Sequence, residues 1–328
     1  MKFLSMLVAA GAVAPAIALP AVEPRAATCT NPAKKVEWRQ LSAEDQQSYT
    51  KAVLCLKTKP SKMGLETSLY DDFPNVHFRY STYIHGGAPF LPWHRYFVHV
   101  YLNALRECGY QGPGTYWDWT QDTAGLSLSA VMSPETGFGG DGNKDQTELS
   151  PDGAKQLPCV TEGPFAGLRP EYLAISPKEM LGGGHCMFRE LAEHSSRPQD
   201  FVTMAAIFGP EGVAEVQASP DFAMYHNALE GGPHGVIHAS LGGEMNPTTS
   251  PNEPLFFLHH GQIDHLYWQW QQANASRLED YNGVASHLGE DKGREVTLDD
   301  ILPMNGLGPD LTVREVMDTV HGELCYTY

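Results

Sequence analysis

The chain has 328 residues, 42% hydrophobic and 19% charged, enough for one large domain or two modest ones, with a core that needs no cross-links to hold it. Its net charge of −17 repels nucleic acid and anionic membranes and argues against both as partners. Beyond the N-terminal apolar run, no stretch approaches the length needed to span a bilayer.

Taken in chain order, the first element is a targeting segment. Lys2, the apolar run Phe3–Ala14 and the small-residue site Ala16-Ile17-Ala18 predict a secretory signal peptide over residues 1–18. Its removal takes away one charge, Lys2, and leaves 21 basic against 39 acidic side chains on a single secreted domain, 19–328. Six cysteines in a secreted chain suggest three disulfides, among 15 possible connectivities. The pairing expected is Cys29–Cys325, Cys55–Cys108 and Cys159–Cys186, a choice that the spacing does not force. Asn274-Ala275-Ser276 is a glycan acceptor sequence.

Ser42-Ala43-Glu44-Asp45 has the form of a helix N-cap, followed by Tyr49, Ala52, Val53 and Leu56 at helical spacing, with Pro60 closing the segment. A second helix begins near Pro92 and runs to "CGYQGPG". Residues 109–232 are rich in glycine and proline and read as packed loops with short helices. A third helix runs from Pro233 to Gly242-Gly243, and a fourth from about Pro254 to Ala275. Strand-like alternation is scarce. The expected fold is mainly α, a four-helix-bundle core surrounded by long loops and short helices.

Histidines are unevenly placed: four of the 14 lie between residues 77 and 99, and six between 226 and 265. His234 and His238, at i and i+4, share one face of a helix and can bind one metal ion. His259 and His260 follow three large apolar residues in "EPLFFLHHGQID", where a buried imidazole needs a partner or a metal. Asp264, one turn past His260, is placed to accept the second ring N–H of a metal-bound histidine. His77, His85 in "YIHGGAP" and His94 at the head of its apolar helix form a second set. Two sets of three imidazoles suggest two metal ions, for which zinc and copper are both suited. The absence of carboxylate ligands favours a copper pair that binds O₂.

"HGGAPFLPWHRYF" and "EPLFFLHHGQID" resemble the two copper-site signatures of the type-3 dicopper proteins: tyrosinases, catechol oxidases and molluscan hemocyanins. "VEWRQLS", "TYWDWTQD" and the final "CYTY" resemble landmarks of the short secreted fungal members, so the likeness spans Cys29 to Tyr328. It implies His77, His85 and His94 at one copper and His234, His238 and His260 at the other, with His259 adjacent but not a ligand. His99, His185, His194, His226, His265, His287 and His321 are expected to be structural, with His226 and His265, the nearest in sequence to the second site, as the exceptions to look for. The implied activity is oxidation of o-diphenols to o-quinones with O₂, by a monomeric enzyme whose partners are small phenols. The alternatives are a tyrosinase that also hydroxylates monophenols and, in another class, an O₂ carrier.

Several positions depart from the family pattern. Glu230 resembles the glutamate that, with an asparagine, orients a proton-accepting water in efficient tyrosinases. The asparagine position is Gly235, which favours catechol oxidation over phenol hydroxylation. Gly235 and Ala239 are expected to line an open pocket that admits substituted phenols and o-aminophenols, with "GGEMNPTTSP" at its entrance. Tyr83 stands where many fungal members have a cysteine cross-linked to histidine, so no thioether is expected. Leu102 replaces a glutamate and is expected to alter the pocket, whereas Glu253 replaces an aspartate as a tolerated helix-cap change. The stop at "CYTY" suggests that no C-terminal shielding domain is encoded.

Overall fold

The computed structural model describes residues 29–287 and 291–328; the signal-peptide segment lies outside them. The first helix, α1, spans Ala43–Leu56 behind the expected cap, with Ser42 Oγ accepting from Asp45 N at 3.0 Å. It ends at Leu56, and Pro60 instead bridges to Ser68 across a tight return.

Helix α2, Leu69–Ile84, was not legible in the sequence. Pro74 sits inside it, and a proline lacks the N–H that continues a helix. A capping box made by Ser68 and Asp71 secures its start, and apolar packing of Phe73 and Val76 holds the rest. His77 lies on this helix and His85 immediately follows it.

Helix α3, Phe90–Glu107, begins two residues before Pro92. The middle of the chain is the expected loop-rich region, with α4 at Gln199–Phe208, α5 at Pro210–Gln217 and α6 at Phe222–Leu229. A wide turn, Glu230–His234, then leads into α7, Gly235–Leu241. Helix α8, Leu255–Gln272, is the longest buried one with α3, and α9, Val313–Met317, packs near the end. Among the described residues the strands form only two-stranded pieces, such as Ala33–Lys34 in parallel with Tyr326–Thr327. The mainly α fold is as expected; α2, α3, α7 and α8 carry or adjoin the two histidine groups, and α1 packs Tyr49, Ala52, Val53 and Leu56 into the same core.

The three disulfides are Cys29–Cys325, Cys55–Cys108 and Cys159–Cys186, the expected set. Cys55–Cys108 ties the last turn of α1 to the end of α3. No helix among the described residues is long and apolar enough to cross a membrane.

Asp264 departs from expectation. Its carboxylate does not reach a ring nitrogen of His260 but accepts from Arg95, Lys35, Tyr326 and Tyr328. The cage is dry: Arg95, Lys35 and Asp264 are all buried. Both side chains lie on the α3 side of α8, one turn apart: His260 stacks on His94, while Asp264 meets Arg95, Lys35 and the two tyrosines.

Candidate metal centre

Two groups of histidines come together between the core helices: His77, His85 and His94 in one, and His234, His238, His259 and His260 in the other. Within each group the ring nitrogens lie within 4.8 Å of one another. The groups face each other. The rings of His94 and His260 stack at 4.3 Å, and those of His85 and His234 at 6.3 Å.

Hydrogen bonds set which nitrogen of each ring is free. Nδ1 of His94, His85 and His234 faces the carbonyl four residues earlier, Phe90, Ser81 and Glu230, at 2.8, 3.1 and 3.0 Å. Nδ1 of His77 faces Thr248 O and that of His238 faces Met245 O, both at 2.7 Å. A carbonyl only accepts, so Nδ1 carries the proton and Nε2 keeps its lone pair. Nε2 of His234 and His238 and both nitrogens of His260 are buried without a hydrogen-bond partner, an arrangement that is costly unless a metal fills it. Burial pushes all six imidazoles below their ordinary pKa, His85 and His238 to about 4, which keeps them in the neutral, metal-binding form.

His259 is the reverse case. Trp119 Nε1, which can only donate, lies 3.1 Å from His259 Nδ1. Nδ1 is therefore the acceptor, the proton sits on Nε2, and the neutral ring has no lone pair to offer a metal. His259 Nε2 is also buried without a partner; with the proton placed there, the other rings supply three donors to each group, a set that fits two metal ions held by imidazole alone.

Residues 67–273 match the model of the common central domain of tyrosinase. The chain belongs to the tyrosinase family. "Tyrosinase-like protein phomQ1" of Diaporthe leptostromiformis is 39% identical over 308 residues, which cover 92% of this chain and 78% of that one. "N-acetyl-6-hydroxytryptophan oxidase ivoB" of Emericella nidulans is 30% identical over 380 residues, covering 98% and 99%. The structure of a polyphenol oxidase mutant from Thermothelomyces thermophila superposes with a TM-score of 0.75 at 27% identity, covering 90% of this chain and 88% of that one. Members of the family bind two copper ions through histidines and oxidise phenols with O₂, and this chain is a tyrosinase-family copper oxidoreductase.

Around the tyrosinase-type centre, Phe90 and Phe256 form apolar walls that the sequence reading did not single out. Phe90 lies 4.9 Å from the ring of His94 and 4.7 Å from that of His234; Phe256 lies 4.2 Å from His260 and 5.2 Å from His77. Each precedes a histidine by four residues, a spacing that could have revealed them. His77, His94 and His260 are at most 2% exposed, whereas His85 and His238 are partly open. Solvent therefore reaches the centre from the side of His85 and His238. Gly235 is half-buried and Ala239 exposed on that side.

Glu230 bridges the two halves. Its Oε1 accepts from Gly86 N at 2.7 Å, next to His85, and its backbone carbonyl orients His234. Burial raises its carboxyl to about 7, against the opposing hydrogen bond from Gly86. Tyr83 donates its hydroxyl to Ile301 O at 3.0 Å. Leu102 does not touch the pocket: it lies two turns along α3 from His94 and packs by Lys35 and Gly114. Glu253 is more than a cap, because its buried carboxylate takes both Arg189 Nε and Nη2, at 3.0 and 2.9 Å. The other seven histidines join neither group. His99 pairs with Asn103, His185 with Glu244, His194 with Asp141 and His321 with Asp318; His265 stacks on Tyr328, His226 lies against Phe222, and His287 is exposed.

Proposed function

We propose that this tyrosinase-family chain is a secreted polyphenol oxidase that converts o-diphenols to o-quinones and hydroxylates monophenols poorly. His77, His85 and His94 would hold one copper, and His234, His238 and His260 the other. Bound copper supplies the redox chemistry, in which two o-diphenols and one O₂ give two o-quinones and two waters. The observation that carries the reading is the pinned tautomer set: five ligands have Nδ1 tied to a carbonyl, leaving Nε2 for the metal.

The protein's own residues do the rest. Phe90 and Phe256 keep the inner side dry, which strengthens every charge interaction within it. Glu230 stands at the open side with a carboxyl raised to about 7, suited to taking a phenol proton near neutral pH. At Gly235 no side chain is available to hold a water against it, and this supports the weak hydroxylation. With Gly235 and Ala239 bare beside His238, the mouth suits substituted phenols and o-aminophenols. The relative named for N-acetyl-6-hydroxytryptophan, a bulky hydroxyindole, is in keeping with that. Three disulfides and the signal-like residues 1–18 support secretion.

Oxygen uptake by copper-loaded protein, with a catechol and its matching monophenol side by side, tests the reading. Fast uptake on the catechol and little on the monophenol is expected. Equal turnover of both would make it a tyrosinase with both activities, and silence on both from protein holding two coppers would overturn the oxidase assignment.

A further inference from the structure

Between α7 and α8 the chain runs through residues 242–254, and this loop touches both histidine groups. Met245 O orients His238, and Thr248 O orients His77. The remaining pinned ligands, His85, His94 and His234, take the carbonyl four residues back, so their orientation comes with their own local backbone. His77 and His238 instead borrow theirs from a loop, one histidine in each proposed copper site. Among the described residues no other segment orients a ligand of both.

The path of that loop is fixed by a buried polar knot. Glu244 is fully buried, with Oε1 2.7 Å from His185 Nε2 and Oε2 accepting from Asn252 Nδ2 at 3.1 Å. The Glu244 N–H donates to Phe188 O at 3.1 Å. Asn252 reaches back to α2, where Tyr70, two turns before His77, donates to its carbonyl. Thr249 Oγ1 accepts from Ala174 N at 3.1 Å. At the loop's start Gly242 and Gly243 have φ of +59° and +52°, and a Cβ on either would lie 2.2 Å from Glu190 O or 2.4 Å from Phe188 O. The backbone is pressed against residues 188–190 in a course that only glycine allows.

We propose that Glu244 is a positioning residue for both metal sites at once: through the 242–254 loop it holds the two carbonyls that aim His77 and His238. This rests on the ligand assignment proposed above. Its consequence is that a change at a residue touching neither histidine group weakens both copper sites together. A glutamate at 244 uses two acceptor oxygens; a glutamine has one and turns the other into a donor, so Glu244→Gln loses the contact with Asn252 or forces His185 into the opposite tautomer, at nearly constant volume.

The test compares wild type, Glu244→Gln, His77→Ala, His238→Ala and a core control on α1, Val53→Ala. Each is loaded with copper and challenged with graded chelator; residual copper per chain is counted, Cu(II) resonance spectra are recorded and the apo-proteins are melted. Loss of an orienting partner weakens metal binding about 10- to 100-fold, so Glu244→Gln is expected to release both coppers together at correspondingly lower chelator. Its copper spectra should change, while Val53→Ala melts earlier but holds copper as wild type does. His77→Ala and His238→Ala should each keep one ion. Retention of both coppers by Glu244→Gln, or loss of one alone, overturns the proposal. If Glu244→Gln does not fold, Thr249→Val, which removes only the anchor to Ala174, is read in the same way. Wild type holding fewer than two coppers would instead overturn the ligand assignment, and this inference with it.

Discussion

Replacing Asp264 by asparagine should be strongly destabilising although it exchanges a single heavy atom. The carboxylate is fully enclosed and takes hydrogen bonds from Arg95, Lys35, Tyr326 and Tyr328. An amide offers one oxygen and presents an NH₂ where Lys35 or Arg95, which can only donate, stood against a carboxylate oxygen, and it leaves two buried cations without a counter-charge. Breaking a buried pair from one side costs about 3–5 kcal/mol, which lowers the melting temperature by on the order of 10 °C in a chain of this size. The assay is thermal and urea unfolding of the apo-protein, with Lys35→Met and the double variant alongside. Arg95 retains the carbonyls of Val316 and Met317 and the amide of Gln271, so removing Lys35 as well should recover part of the loss. The pH dependence has a definite sign. Burial alone would raise the carboxyl of Asp264, but Arg95 and Lys35 outweigh it and hold the group far below its ordinary value. The stability this gives is present above the unfolded pKa of roughly 4 and lost as the pH falls. Wild type should therefore lose stability below that pH more steeply than the variant. A penalty below about 1 kcal/mol, or a double variant that costs the sum of the singles, would refute the cage as described.

Other outcomes follow from the centre itself. His260→Ala should retain one copper per chain, whereas His259→Ala should retain two and lose only about 1–2 kcal/mol of stability through the orphaned Trp119 N–H; metal analysis with melting distinguishes them, and the opposite pattern would reverse the ligand choice. Gly235→Asn is compatible with the local backbone, φ −62° and ψ −33°, and its Cβ would lie 3.2 Å from Glu230 O. It should raise monophenol hydroxylation at least about tenfold while changing catechol turnover little, by the usual scale of general-base assistance; equal change on both substrates would count against the role given to Gly235. Glu230→Gln keeps an acceptor for Gly86 but loses the base, and should lower turnover about a hundredfold with both coppers retained. Unchanged kinetics would reduce Glu230 to a tie between the two halves.

Much of the centre was legible because imidazole spacing carries chemistry that few other patterns can. His234 and His238 announce themselves by helical spacing, and His94 and His260 by sitting in apolar helices. The rest was hidden for identifiable reasons. Pro74 masked α2, because local propensity forbids what Phe73 and Val76 enforce by packing. The role of Asp264 was misread because its neighbour in sequence is a histidine, while its partners, Lys35 and Tyr326, lie 229 and 62 residues away. The carbonyls of Met245 and Thr248 could not be seen at all, since backbone groups are the same at every position and only the folded path tells them apart. Gly235 was informative for the opposite reason, as a side chain missing where chemistry calls for one.

The cage around Asp264 also orders events in time. Its members come from residue 35, from α3, from α8 and from residues 326 and 328, so a growing chain carries Lys35 and Arg95 for most of its synthesis with no anion to meet them. Helix α8, which bears His260, gains its last two donors only when Tyr326 and Tyr328 arrive. Until those tyrosines pack, the Asp264 carboxylate of α8 lacks two of its four donors. Replacing Tyr326 and Tyr328 together by phenylalanine should therefore loosen α8 and lower the melting temperature, although neither ring touches a histidine of the two groups.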